Sequence, residues 1–241
     1  MDGNAMMKVL DSCYDKALKG LPTSSAVEDL AIEYLEKYDT QREAAKKMCN
    51  AQVVKCGTSG FITGLGGLIT LPVAIPANVA SVIYVQLRMI ATVARIGGYN
   101  PSDDQVRTMA YVCLTGSAAA DIVKKAGINI GEKITIATIK KIPGAVLTKI
   151  NQKVGFRLVT KFGEKGAVNL VKMMPFVGGV IGGGIDIAGT KVIAKVAYDM
   201  FIEGKNVVVY FVHNIVFSWD GERGGEGEKI KLCKESKKVL Q

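Results

Sequence analysis

The residues that most often carry out chemistry are scarce in this chain. His213 is the only histidine, which excludes metal sites and catalytic arrangements that need two imidazole rings. The five cysteines, at positions 13, 49, 56, 113 and 233, contain no Cys-x-x-Cys pair and indicate a reduced, cytosolic protein. Because no group of Cys, His, Asp and Glu has metal-site spacing, we expect no metal and no cofactor.

Two short motifs come close to known sites without matching them. Residues 184–191 (GIDIAGTK) are glycine-rich like a phosphate-binding loop, but Thr190 stands where that loop needs lysine. Residues 57–60 (GTSG) are one residue short of a nucleophile elbow and have no histidine partner. Nothing in these residues argues for an enzyme.

Three polar residues lie inside long apolar segments: Asn78, Arg88 and Asp186. A buried charge is tolerated only when it is paired and hydrogen-bonded. Because Arg88 and Asp186 lie in two segments of similar plan, we expect a mutual ion pair that fixes the register of two helices. A ligand or ion site is the alternative, as is exposure of one partner.

Basic residues recur at every fourth position in a second candidate site. An apolar ridge at the same interval runs beside them, from Val146 to Phe162. On a helix, this pattern is typical of a segment lying on an anionic membrane. A solvated face of a core helix is the alternative, and nucleic acid is disfavoured because aromatic side chains are few. The predicted lipid- or anion-binding surface consists of Lys140, Lys141, Lys149, Lys153, Arg157, Lys161 and Lys165.

The charge of the chain is concentrated in one region. The 241 residues have a formal net charge of +9, and residues 124–172 alone hold 11 basic and two acidic side chains. Residues 56–87 carry no charge, and the mean hydropathy of +0.23 raises the question of a membrane segment. Pro72 and Pro76 interrupt that uncharged run, which argues against a simple spanning helix.

The elements that would position these residues are helices. Ser25 with Glu28, and Thr40 with Glu43, predict two capped helix starts, and long apolar helices are expected over residues 77–96 and 186–202. Glycines predict that the basic region is divided into short helices. Small residues spaced by four would let helices pack closely. These are Gly60, Gly64, Gly178, Gly182 and Gly183.

We therefore predict an all-α fold. It consists of a single domain of about eight helices over residues 1–203, built around two glycine-pivoted apolar helices. Residues 204–241 form an irregular or strand-like apolar run and a flexible charged tail.

Four long segments of the chain are distinctive: 60–78 (GFITGLGGLITLPVAIPAN), 84–91 (YVQLRMIA), 149–170 (KINQKVGFRLVTKFGEKGAVNL) and 175–201 (PFVGGVIGGGIDIAGTKVIAKVAYDMF). Together they resemble the EcsC-like protein family, and the similarity extends over roughly residues 25–203. The family is named after a protein encoded beside an ABC-transporter ATPase and permease. The resemblance implies a bacterial, mostly helical protein associated with a membrane transporter and with the handling of exported proteins, and it assigns no catalytic residue.

Together these observations predict a cytoplasmic accessory protein, peripheral at the inner face of the membrane. Its expected partners are anionic lipid or the membrane subunit of an ABC transporter. Two alternatives stay open at this point. One is a soluble carrier of an apolar lipid, with Arg88 near the head group. The other is a membrane-permeabilising effector in which residues 56–97 insert.

Overall fold

The structure is a computed structural model that describes residues 2–22, 24–56, 77–128, 133–162 and 180–205, with side chains from 79 in the third range and from 187 in the last. Within these residues the predicted all-α fold is confirmed, with nine α-helices and no strand. A single 3-10 turn, Gly116–Ala118, follows the fifth helix. The helices are α1 Gly3–Lys19, α2 Val27–Lys37, α3 Gln41–Cys56, α4 Ala77–Ile96, α5 Asp104–Leu114, α6 Ala119–Lys125, α7 Ile136–Lys140, α8 Gly144–Phe162 and α9 Val180–Phe201.

Helix α4 is the centre of the fold. It packs against α1, α2, α3, α5 and α9, and every residue from 80 to 94 is buried. A helix that is apolar on all sides must be covered on all sides, which accounts for its position. Among the described helices only α4 is long and apolar enough to cross a membrane, yet 89% of its 79–96 stretch is buried inside the protein. Its predicted range, 77–96, is confirmed.

The two predicted helix starts have different outcomes. Thr40 accepts a hydrogen bond from the backbone N–H of Glu43 at 3.1 Å and caps α3 as predicted. The capping box at Ser25 is wrong, because α2 begins at Val27 and no side chain caps it. Ser25 instead accepts hydrogen bonds from Arg88 on α4, and Glu28 binds Arg95. Both side chains therefore bind arginines of α4 instead of capping α2.

The prediction that glycines divide the basic region is wrong for its longest helix. Helix α8 continues for 19 residues through Gly155. A Cβ atom on Gly155 would lie 2.7 Å from the backbone oxygen of Gly3, so the missing side chain lets α1 and α8 cross in close contact. This glycine serves helix packing rather than helix termination.

The last helix is longer than predicted. Helix α9 begins at Val180 instead of residue 186, so Gly182 and Gly183 lie inside it rather than before it. At its other end, Asp199 is buried and binds Lys195 at 3.0 Å and Lys205 at 3.8 Å. The strand-like run and charged tail expected after residue 205 lie outside the described residues.

Candidate functional site

Helix α8 carries the predicted basic ridge and holds it outward. Its apolar positions Ile150, Val154 and Leu158 are buried on the side that packs against α1 and α5. Lys149 and Arg157 are exposed on the other side. The apolar ridge is therefore part of the protein core, as in the alternative of a core helix with a solvated face. Any contact of α8 with a membrane must be made by its basic side.

A groove lies between that basic side and helix α6, with a volume of about 900 Å³. We call it the α6–α8 groove. Helix α8 contributes both cations and an aromatic ring to it, and α6 contributes cations together with part of an apolar floor. Its lining residues are Ser117, Ala118, Ala120, Asp121, Ile122, Lys124, Lys125, Gln152, Lys153, Phe156 and Arg157.

A second pocket of about 420 Å³ adjoins the groove, because Ser117 and Arg157 line both. Its other side is formed by α9, where Val192 is 44% exposed. Gly116 shapes this junction with a φ of +62°, a conformation that side chains disfavour, and it brings the 3-10 turn against Val192 and Ile193. The joined pockets therefore extend from α6 across α8 to α9.

The groove is strongly cationic. Four basic side chains line it, and Asp121 is its one carboxylate. Asp121 is already bound to Lys125 at 2.9 Å. Within the part of the chain that the structure describes, Lys153 and Arg157 form no ion pair. Their charges are thus available to an anion from outside.

Phe156 stands among these cations with 70% of its surface exposed. It is the most exposed large apolar side chain among the described residues. A large apolar ring beside basic groups is the combination that interfacial membrane-binding helices present to lipid. The groove thus offers a negatively charged amphiphile both charge and apolar contact.

The structure separates the residues of the predicted basic surface. Lys153, Arg157 and Lys161 line the groove or the adjoining pocket, and Lys149 is exposed on the same helix. Lys140, at the end of α7, lies 3.9 Å from Asp103. Neither it nor the exposed Lys141 lines either pocket. Lys165 lies outside the described residues.

Sequence reasoning missed the α6 side of the groove. Lys124 and Lys125 belong to the basic region, but no periodicity connects them with α8. The two helices meet only because α5 and the 3-10 turn place α6 beside α8. The one available signal was the charge excess that begins at residue 124.

Arg88 is buried, as its place in an apolar helix predicted, with 3% of its surface exposed. Its Nε and one terminal nitrogen donate to the carbonyl and hydroxyl oxygens of Ser25 at 2.9 and 2.8 Å. The other terminal nitrogen lies 3.4 Å from Oε1 of Gln52. Burial lowers the pKa of the Arg88 guanidinium, because the charged form loses its hydration, and the nearby Tyr84 and Glu33 oppose this shift only in part. Arg88 therefore links α4 to the residues just before α2 and to α3.

The remaining predicted residues lie where the structure gives no side-chain detail. The side chains of Asn78 and Asp186 fall outside the described residues, so the Arg88–Asp186 pair stays a prediction. Gly60, Gly64 and Gly178 lie outside as well, and the close packing predicted for them and for Gly182 and Gly183 also stays a prediction. The close crossing that the structure does describe is at Gly155.

Reactive chemistry has no support in the described residues. They contain no group of three or more His, Cys, Asp or Glu side chains that could hold a metal ion. The four cysteines of this part, Cys13, Cys49, Cys56 and Cys113, are buried. Burial raises the pKa of both Cys13 and Cys49 to about 12, so these thiols stay protonated at neutral pH.

Comparison with known proteins gives a family but no characterised relative. Residues 5–202 match the model of the EcsC protein family. No curated protein and no solved structure matches the chain. The match covers all nine described helices apart from the first two residues of α1.

Proposed function

The chain belongs to the EcsC protein family, and on that premise we propose that it is a membrane-associated accessory protein. It binds the anionic inner face of a bacterial membrane from the cytoplasm. The α6–α8 groove and the basic side of α8 form the contact surface. No catalytic step is part of the proposal.

One observation carries this proposal: Phe156 is exposed beside Lys153 and Arg157, which have no carboxylate partner among the described residues. Each basic side chain near an anionic membrane surface contributes about 1 kcal/mol of binding free energy. Burying a phenylalanine side chain contributes about 1.5–3 kcal/mol. The two effects act on the same face of α8, so together they support reversible binding to a membrane surface.

A peripheral position agrees better with the fold than insertion does. Helix α4 would have to leave its contacts with five other helices in order to enter a bilayer. Arg88 and Gln86 on that helix make hydrogen bonds with Ser25, Gln52 and Thr190, all of which insertion would break. These contacts argue against the membrane-permeabilising alternative.

The family name implies an association with a transporter, and the same basic surface of α8 would make that contact. A membrane subunit with acidic cytoplasmic loops would meet the same cations as anionic lipid. We favour lipid because the exposed ring of Phe156 suits an acyl region better than a charged loop. Binding to a transporter subunit in place of lipid is an outcome that the following test would reveal.

The test is flotation of the purified protein with vesicles. Vesicles containing phosphatidylglycerol should carry the protein at low salt, and pure phosphatidylcholine vesicles should not. The double variant Lys153→Glu/Arg157→Glu should bind at least about thirtyfold more weakly, from the loss of about 1 kcal/mol at each position.

A charge-matched control separates this surface from general basicity. Lys37→Glu/Lys46→Glu changes the net charge by the same amount on α2 and α3, which do not line the groove. This control should float like the parent protein. Equal losses in both double variants, or no flotation of the parent protein, would contradict the proposal. Co-purification with transporter membrane subunits without vesicle binding would replace lipid with protein as the partner.

A further inference from the structure

We infer that the α6–α8 groove, together with the pocket that adjoins it, holds one anionic phospholipid molecule. This inference rests on the proposed function and deepens it, because adsorption to a charged surface requires no concave site. It assigns the phosphate to Lys153 and Arg157, and an acyl chain to the apolar floor of the groove.

The shape of the site supports a discrete ligand. Sites for small molecules usually have volumes of about 300–1,000 Å³. The groove, at about 900 Å³, and the pocket, at about 420 Å³, adjoin at Ser117 and Arg157. Joined in this way they form an elongated site, which suits a chain-bearing molecule better than a compact inorganic anion.

The distribution of chemistry along the site is that of an amphiphile. Ala118, Ile122 and Phe156 supply apolar surface, whereas Lys153 and Arg157 supply charge on the α8 side. A guanidinium group can bind two phosphate oxygens at once, which an ammonium group cannot do with the same geometry. Because Arg157 lines both pockets, it is the residue that we expect to contact the phosphate. A zwitterionic head group should bind more weakly, because its own cation would lie against this basic surface.

The test measures binding of a single soluble lipid. Isothermal titration calorimetry uses dihexanoyl phosphatidylglycerol below its micelle-forming concentration, with dihexanoyl phosphatidylcholine and inorganic phosphate as comparison ligands. We expect one molecule of the phosphatidylglycerol to bind per chain, and at least about tenfold weaker binding of the other two. Phosphate binding as tight as the lipid would overturn the inference, because no acyl contact would then be involved.

Two variants place the ligand in the groove. Ala118→Trp fills the apolar floor without changing charge and should weaken binding about tenfold, through the loss of roughly two methylene contacts. Gln152→Glu adds a carboxylate to the lining at nearly constant shape and should weaken binding as well. Gln41→Glu makes the same change at an exposed position on α3 and should have no effect. Parent-like affinity in both groove variants would overturn the inference.

Failure of this inference can be distinguished from failure of the proposed function. Ala118→Trp keeps every charge, so it should still float with long-chain phosphatidylglycerol vesicles. If vesicles carry the parent protein but the short-chain lipid does not bind, the groove inference is wrong and membrane binding stands. If neither binds, both are wrong. Because Gln152→Glu is nearly isosteric and exposed, it remains informative even if the tryptophan variant does not fold.

Discussion

Arg88 on the apolar helix α4 and Arg157 on the basic helix α8 show how differently the same side chain is used in this protein. Arg88 on α4 is 3% exposed and gives its donors to neutral oxygens of Ser25 and Gln52. Arg157 on α8 is exposed, lines two pockets and forms no ion pair among the described residues. The first holds helices together, whereas the second is available to a partner. Loss of Arg88 should therefore affect stability, and loss of Arg157 should affect binding.

The largest expected effect is on stability and concerns Arg88, the buried arginine. Arg88→Ala should lower the free energy of unfolding by about 3 kcal/mol or more, because a buried side chain and its hydrogen bonds to Ser25 and Gln52 are lost together. Arg157→Ala should change it by less than about 0.5 kcal/mol. Urea denaturation followed by circular dichroism measures both. Similar losses in the two variants would mean that Arg157 is also structural.

The second prediction compares a glycine at the crossing of α1 and α8 with a glycine on α9. Gly155→Ala should destabilise the protein by about 1–3 kcal/mol, because the new methyl group would collide with the backbone of Gly3. Gly189→Ala on α9 meets nothing within 4 Å and should stabilise its helix by about 0.5–1 kcal/mol. Thermal unfolding of the two variants gives the comparison. A neutral Gly155→Ala would mean that α1 and α8 can move apart at little cost.

The third prediction concerns the exposed ring of the groove. Phe156→Ser should weaken partitioning into phosphatidylglycerol vesicles about ten- to hundredfold, since the ring contributes roughly 1.5–3 kcal/mol when it is buried in lipid. Stability should change by less than about 0.5 kcal/mol, because 70% of the ring is already exposed. Ile32→Ser, at a 43% exposed position on α2, is the matched control and should partition normally. Equal partitioning of the two variants would remove Phe156 from the membrane contact.

The smallest expected effect concerns a surface pair on α2 and α4. Arg95 donates to both oxygens of Glu28, at 2.6 and 2.7 Å, and holds the pKa of that carboxyl below its ordinary value. A lowered pKa gives stability that is present above the pKa of the unfolded chain and is lost as the pH falls through the folded pKa. Because the pair is exposed, a double-mutant cycle with Glu28→Gln and Arg95→Gln should give less than about 1 kcal/mol near pH 7. The coupling should vanish near pH 2, and a coupling that survives there would require another contact.

The sequence was informative where one physical requirement dominates. A continuous apolar stretch predicts one long helix over residues 77–96, and α4 begins and ends at these residues. Thr40 was identified as a cap because its hydrogen bond is local. Ser25 was misread because its partner, Arg88, lies 63 residues away, and no local rule anticipates that competition.

The groove could be predicted only on one side. The four-residue interval of the basic side chains identified the outer face of α8, because a helix places such residues in one row. The second wall depends on how α5 turns at Gly116 and brings α6 alongside, which is a tertiary event. Gly155 likewise resembled a helix breaker until its closeness to α1 was visible. Sequence patterns therefore identified a surface, and the packing of neighbouring helices turned it into a concave site.

The crossing of α1 and α8 at Gly3 and Gly155 has a kinetic consequence. Since α8 is already folded and pressed against α1, its outer face meets a partner without any ordering step. Encounter with a negatively charged surface should therefore proceed at a rate set by diffusion and long-range attraction. In the proposed membrane complex, residence time should shorten steeply as ionic strength rises, because the contacts of Lys153 and Arg157 would lie near water. Such a protein would bind its target and dissociate from it many times rather than remain bound after one encounter.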